Sequence, residues 1–534
     1  MAVPAVIGAS SGAKAQSRLD LGGFLEVGGE SERYYRVLQI AGVVPLTPWS
    51  IQPLSPTQAK ELRATRPHPW SARLDSVDGA ALAPGTHTLR PKGRVIENSA
   101  YPFQDGPGPT WAGRGFTGEL QAGFSAAWQM VSAQIAPLAF VAQNSSFTLA
   151  PNGAAGAAAF GDARYPATID APQRFGTSNY SRLVPGTSFI TLDTRYALVS
   201  ASTAPNRWGP ARDYPLVLGP NAGGFPSVYA GTSRPVDLWL FQVHARVIYG
   251  KLGQSSLSAP VDSERARFGT GAVGLIVPRG APGLELGGVR FIHTPWPRDG
   301  FSIRLIQKPI TSGLNLVGNT LNAVSENQVA SLFARWAFPR AGVELYGEMY
   351  REDYPGHFHH ALSLIEKPDD LAAFAIGFQR VLDVTAGRSR VVRGELVNGE
   401  PSHQERNERG FVIPIVPYVH SGMTQGHTSN GLLLGSPEAY GGAAWRVGYD
   451  EYTPNGRTTF SLERTTRFDW LPTLATTKPV RPDVILALRA EAMRFRGQQD
   501  YTVILIPSID LNRNLVAEND VFNLTAAVTV RGWP

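Results

Sequence analysis

Aromatic rings stand beside arginines and carboxylates at three places in the chain: Arg207 and Trp208 with Arg212, Asp213 and Tyr214; Trp296 with Arg298 and Asp299; and Tyr354 with His357, His359 and His360. Rings stack on the apolar faces of sugars, planar polar groups hydrogen-bond hydroxyls, and guanidinium groups answer acidic substituents. The candidate binding residues are therefore Arg207, Trp208, Arg212, Asp213, Tyr214, Trp296, Arg298 and Tyr354. Each cluster also has a plainer reading, in which Trp208 and Pro210 fold a loop back into the protein and the rings serve packing. The His357, His359 and His360 group suggests metal chelation, but a catalytic zinc site requires a further ligand and a general base. Pro355-Gly356 marks that segment as a turn in a solvated loop. Glu344 with Glu348, or Glu395 with Glu400, has the composition of a glycosidase pair, but that chemistry demands a set carboxylate separation. Neither a phosphate-binding loop, nor a dinucleotide fingerprint, nor a nucleophile elbow occurs in a usable context. No enzyme activity, metal or cofactor is expected.

The elements that carry these residues are strands of unusual length. From Gly115 to Asn144 the chain reads as two strands joined by a minimal turn near Trp128-Gln129, with Phe116, Leu120, Phe124 and Trp128 on one face and Thr117, Glu119, Gln121 and Ser125 on the other. A soluble strand is usually about five or six residues long, so this period-two pattern points to a strand that spans a bilayer. The pattern returns at Ile190–Ser202, at Trp239–Lys251, in Val343 and Leu345 against Glu344, Tyr346 and Glu348, and in Phe522, Leu524, Ala526, Val528 and Val530 against Asn523, Thr525, Thr529 and Arg531. Polar partners such as Arg246 and Glu344 are costly to bury in a dry core, whereas the lumen of a barrel accepts them, with Arg195, Arg246, Arg393 and Arg531 forming ladders with the carboxylates. Trp128, Trp239 and Trp533 suit the aromatic belts at a membrane boundary.

Composition agrees. Charged residues make up 17% of the chain, below the usual ~25%, and there is no cysteine, which excludes disulfides and thiolate metal sites. The net charge of +6 is scattered, so nucleic acid is not an expected partner. No apolar run approaches the ~18 residues of a membrane helix, so a membrane protein here must be a barrel. Residues 1–16, with Ala13-Lys14-Ala15 before Gln16, read as the tail of a signal peptide. Residues 17–109 read as a small helical and irregular periplasmic module. Within it a helix is expected over Ser31–Ala41, and a second follows Ser55-Pro56-Thr57-Gln58, which has the N-cap, first-turn proline and capping-box glutamine of a helix start. An antiparallel pair is expected between Thr86 and Glu97. Residues 110–534 then form a transmembrane antiparallel β-barrel; about 24 residues per strand, turn and loop gives about 18 strands. The segments 145–187, 203–235, 294–327 and 399–428 are its long extracellular loops. With Trp111 and Arg114 at the handover from the module, the tight turn near Trp128-Gln129 falls on the outer face, an awkward place for a short connection.

The run from Ser31 to Gly42 followed by Trp49, then Asn98-Ser99, Tyr101-Pro102, Asp105-Gly106 and Trp111 through Gly115, resembles the capsule assembly protein Wzi family of outer-membrane proteins. So do Asn206-Arg207-Trp208-Gly209-Pro210 leading to Pro215-Leu216-Val217-Leu218, the stretch Glu344 to Glu348 with Glu352-Asp353, and the late stretch from Tyr418 through Gly431 and Gly435 to Arg457. The resemblance implies a mostly β protein of the bacterial outer membrane. Its implied role is a non-enzymatic lectin that needs no metal and attaches capsular or exopolysaccharide to the cell surface. The implied partners are that polysaccharide, outer-membrane lipid and the polysaccharide export machinery. Two other classes are compatible with the residues: a transport pore, and a secreted carbohydrate-active enzyme.

Overall fold

The computed structural model describes residues 25–78, 85–103, 108–257, 266–314, 326–352, 368–369, 371–401, 416–467 and 481–532. Its frame is a closed barrel in which every pairing between named strands is antiparallel. Several strands are single staves with a gap in the ladder. Gly85–Thr88 and Lys92–Asn98 run end to end along Gly115–Gln121 and Phe124–Trp128, which in turn face Val131–Ile135 and Leu138–Ala142. Tyr180–Val184 joins Phe189–Asp193 in the same way, as Ser227–Thr232 joins Val236–Leu238. Merged so, the described residues form eighteen staves, each bonded to its neighbours in sequence. The circle closes where Val521–Arg531 pairs with Lys92–Asn98.

The closing pair moves a boundary. The barrel begins at Gly85, inside the segment assigned to the helical module, and the two pieces between Thr86 and Glu97 do not pair with each other. The chain therefore crosses the barrel once before the hairpin at Gly115, and the tight turn at Gln129 shares an end with the other short turns: 194–196, 239–240, 279–283, 339–342, 385–388, 454–455 and 497–498. All the long connections lie at the opposite end, the asymmetry of an outer-membrane barrel with its short turns toward the periplasm. Two of the expected loops are too wide, since Tyr180–Val184 and Ser227–Thr232 are strands. Ile190–Ser202 is a hairpin rather than one strand, because Thr194 to Tyr196 form a turn and the alternation slips across it: Leu192 is exposed whereas Leu198 is buried.

Facing follows the period of two. Phe116, Phe124 and Trp128 point outward and are more than half exposed, while Thr117 and Ser125 between them are buried; Leu345 is exposed between buried Glu344 and Tyr346. This apolar outer wall around a polar inner wall is the architecture of an outer-membrane protein. No helix among the described residues is long and apolar enough to cross a membrane. Trp128 and Trp239 are exposed at the short-turn end, as belt residues would be, and Trp533 lies outside the described residues.

Inside the wall sits the N-terminal module. Helix α1 spans Glu30–Ile40 and α2 spans Pro56–Glu61, where Ser55 and Gln58 make the expected capping box. A third helix, α3, covers Ser71–Asp78. Tyr34, Val37, Leu38, Trp49 and Trp70 form a core with the inward-facing barrel residues Val391, Tyr452 and Met493, so the module is a plug held within the staves.

Candidate functional site

The inner wall grips the plug with carboxylates. Glu285, on the strand Leu284–Pro295, accepts hydrogen bonds from the backbone N–H groups of Trp49 (2.9 Å) and Ser50 (3.0 Å) and pairs with Arg335. Glu344 receives Arg36 of α1 at 3.1 Å, Gln379 at 2.8 Å, and Arg335. An ionised carboxylate accepts several donors at once, and here those donors are backbone amides of the module and buried guanidinium groups of both module and wall. The polar inner face serves both the plug and ladders between staves, such as Arg335–Glu344, Arg446–Glu463 (2.6 Å) and Arg457–Asp450 (3.3 Å). Of the four arginines expected in ladders, Arg393 binds Asp450 (3.0 Å) on the neighbouring stave, Arg246 donates to Pro53 O of the module (2.9 Å), Arg531 pairs with Glu26 (3.7 Å), and Arg195 sits exposed in a turn.

From the loop end a second plug comes down to meet the first. The segment after Asn206 enters the lumen, where Arg207–Trp208 pairs as a two-residue strand with Ile51–Gln52 of the module. Arg207 donates to Glu32 Oε1 at 2.5 Å, and Trp49 Nε1 donates to the same oxygen at 2.6 Å. Burial alone would raise the Glu32 carboxyl; the Arg207 guanidinium and these hydrogen bonds outweigh it and hold the group below its ordinary 4.5. Gly209, at φ +108°, passes so close to the wall that a β-carbon would stand 2.3 Å from Glu348 Oε2, which only glycine permits. Beyond it Glu395 collects the backbone N–H groups of Arg212 (2.9 Å), Asp213 (3.1 Å) and Tyr214 (2.6 Å). Asp213 bridges Arg393 (3.1 Å) and Arg446 (3.3 Å), and burial, which would raise its carboxyl, loses to these cations, leaving it strongly lowered.

Five of the eight expected binding residues are accordingly structural. Trp208, Arg207 and Tyr214 are at most 1% exposed, and Arg212 and Asp213 are locked between the loop and the wall. A polymer outside the cell cannot reach them. Arg207 and Trp208 seal the loop to the module, and Arg212, Asp213 and Tyr214 seal it to the wall; hydropathy does not distinguish a loop that reaches into solvent from one that reaches into a polar lumen. Trp296 and Arg298 lie elsewhere, on the outer side of the barrel near the loop end, where Trp296 packs on Phe268 and Phe301 and Arg298 is exposed. Tyr354, with His357, His359 and His360, falls outside the described residues. Among the described residues no cluster of three metal-ligating side chains occurs. Of the four carboxylates considered for hydrolysis, Glu344 and Glu395 are engaged by the plugs, Glu348 accepts from Ser331 Oγ at 2.7 Å on the neighbouring stave, and Glu400 lies just past the strand Ser389–Asn398.

Among the described residues, a cavity that the sequence did not reveal lies between the plugs and the wall. It measures about 440 Å³ and runs along the wall built from the first four and last three staves, from Trp70 and Asp500 near the short turns to Gly223 and Asn430 of the loops. Eight arginine and lysine side chains line it, including Lys92, Arg94 and Arg182, against five carboxylates. Some pair directly, as Arg94 does with Glu119 (3.7 Å) and Arg489 with Glu491 (2.8 Å), but cations remain in excess. A basic cleft with low-dielectric walls concentrates anions and offers guanidinium forks to carboxylate, sulfate or phosphate groups. The signal lay in cations at inward positions of separate staves, invisible without the register.

No protein-family model matches the chain, and no curated protein matches it either. Among solved structures it is similar to Wzi of Escherichia coli, described as an outer membrane protein involved in group 1 capsule assembly and a carbohydrate-binding β-barrel. The two share 14% sequence identity, with a TM-score of 0.63 over 95% of this chain and 99% of the other. The outer membrane protein OprD of Pseudomonas aeruginosa matches at 9% identity and a TM-score of 0.38, over 84% of this chain and 92% of that one. The first likeness is one of fold.

Proposed function

We propose that this protein binds capsular or exopolysaccharide at the outer membrane and helps attach it to the cell surface, without turning it over. The observation that carries this reading is the double plug. A lumen filled by α1 to α3 from one end and by the 206–225 segment from the other, with Glu32, Glu285, Glu344 and Glu395 fastening both, is built to hold a shape rather than to pass solutes. The fold likeness to a carbohydrate-binding barrel supports it. The excess of cations in the remaining cleft favours an acidic polymer, with uronic acid, sulfate or phosphate substituents. Partnership with export machinery belongs to the same proposal.

The test is deletion in the source bacterium. Polymer should still be secreted but should shed into the medium; cell-bound polymer at the wild-type level would sink the reading. A transport pore is the second reading, favoured by the cleft that runs along the wall. Steady single-channel conductance of the intact protein in a planar bilayer would establish it.

A further inference from the structure

The outer wall carries one patch that the barrel itself does not account for. On the strands Ala266–Pro278 and Leu284–Pro295 the outward-facing residues toward the short turns are exposed, as Ile276 (37%) and Leu286 (39%) are. Along the same faces toward the loop end, Phe268, Thr270, Ile292 and Thr294 are 5% exposed or less. What covers them is helix α4, Ile303–Leu314, which packs on both strands from the outside. Tyr249, outward-facing on the strand Phe241–Gly253, fixes it by donating its hydroxyl to Ile306 O at 2.8 Å. Ahead of the helix, Trp296 and Phe301 pack edge to face on each other (5.5 Å between ring centroids) and on Phe268. The ammonium of Lys251 lies 5.1 Å from the Trp296 ring.

The helix is apolar on its far side as well. Pro309 is buried against the wall, yet Ile303 (72% exposed), Ile306 (44%) and Ile310 (52%) form an i, i+3, i+7 stripe, extended by Phe301. Arg298 and Arg304 are exposed beside it, and Asp299 is the one carboxylate between Trp296 and Leu314. An amphipathic helix with isoleucines toward hydrocarbon, a tryptophan at its edge and cations around it fits the headgroup boundary of a membrane. We infer that α4 lies in the plane of the outer leaflet and, with Lys251, Trp296, Arg298 and Arg304, forms a docking surface for a phosphorylated, multiply acylated lipid. The acyl chains lie along Ile303, Ile306 and Ile310, and the phosphate meets the cations. Charge selects this occupant over a second copy of the chain: the patch is cationic, and the barrel wall a second copy would present is apolar. The inference rests on the fold and stands apart from the glycan reading.

The experiment uses the whole protein, folded in detergent, with native mass spectrometry against bisphosphorylated hexa-acyl lipid A and its dephosphorylated form. Wild type should retain the phosphorylated lipid at least about tenfold more tightly, which corresponds to about 1.4 kcal/mol, and free inorganic phosphate should not displace it. The triple variant Lys251→Gln, Arg298→Gln, Arg304→Gln should lose that preference, and Ile303→Ser with Ile306→Ser should weaken both lipids. Heat-modifiable migration on a gel confirms that each variant is folded, and the charge variant alone suffices if the other is not. Equal retention of the phosphorylated lipid by wild type and charge variant overturns the inference. So does displacement by free phosphate, or a dimer that the isoleucine variant abolishes.

Discussion

His427 is fixed in one tautomer by its two neighbours. Its Nε2 lies 2.6 Å from Val217 O and so carries the proton, which leaves Nδ1 to accept from His293 Nε2 at 2.7 Å. A second proton on His427 would set two donors against each other beside the buried Arg267 guanidinium and the stacked Tyr418 ring. Burial lowers the imidazole to about 4, outweighing the Val217 carbonyl, which favours the charged form, and the Arg267 guanidinium adds a smaller push downward. A folded-state value below the unfolded 6.5 means that docking of the 416–441 segment is at full strength above pH 6.5 and is lost as the pH falls toward 4. The total is about 3 kcal/mol. Hydrogen exchange of that segment, corrected for intrinsic rates, should therefore rise across this window, and His427→Gln should flatten the dependence. The residues of the seal were conspicuous in the sequence for their chemistry, but their task was not. Arg207, Asp213 and Tyr214 carry the groups a sugar site would use, and the same groups serve equally to fasten a loop to Glu32, Arg393 and Glu463.

At the scale of elements, the ladder gaps fall next to one another around part of the wall: residues 89–91, 122–123, 136–137 and 185–188 interrupt four consecutive staves. Interruptions of this kind bend a strand and tighten its twist. At Gly123 a β-carbon would stand 1.8 Å from Ile135 O, so the backbones approach as they do only because no side chain intervenes. Gly123→Val should cost on the order of 3 kcal/mol and appear as loss of the heat-shifted band at a lower temperature than wild type. The hairpin around this glycine was legible from its alternation, and α2 from Ser55, Pro56 and Gln58, because both signals are local. Helix α4 was not, since its segment read as a loop: its isoleucine stripe faces away from the protein, where a soluble fold would show no stripe at all. The gaps were equally hidden; at 122–123 and 136–137 a two-residue break leaves the period of two intact on either side.

For the molecule as a whole, the module fills the short-turn end of the lumen. Deleting residues 25–78 removes the module's donors to Glu285 and Glu344 and the acceptor of Arg246, and empties the short-turn end of the lumen. The truncated barrel should conduct in a planar bilayer where the intact protein stays silent; conductance equal in both would mean that the module does not block the path. The barrel and its long outer loops were legible because long alternating strands and the contrast of short and long connections survive in any single sequence; the side of the turn at Gln129 was not, because the stave before Gly115 went unread. The boundary at Gly85 was not, since the first stave is cut by Pro91 and its partner lies at the far end of the chain.

That last pairing also sets an order of events. Thr525 donates to Asn98 across 427 residues of sequence, so the wall is an open sheet with two bare edges until its final stave arrives. The module precedes the barrel in the chain, and its docking must await Val391, Tyr452 and Met493, against which it packs and which follow hundreds of residues later. During that interval its buried tryptophans and the unpaired edge of Lys92–Asn98 need shelter from each other and from other chains. A factor that covers both surfaces until Val521–Arg531 arrives should therefore raise the yield of closed barrel on refolding.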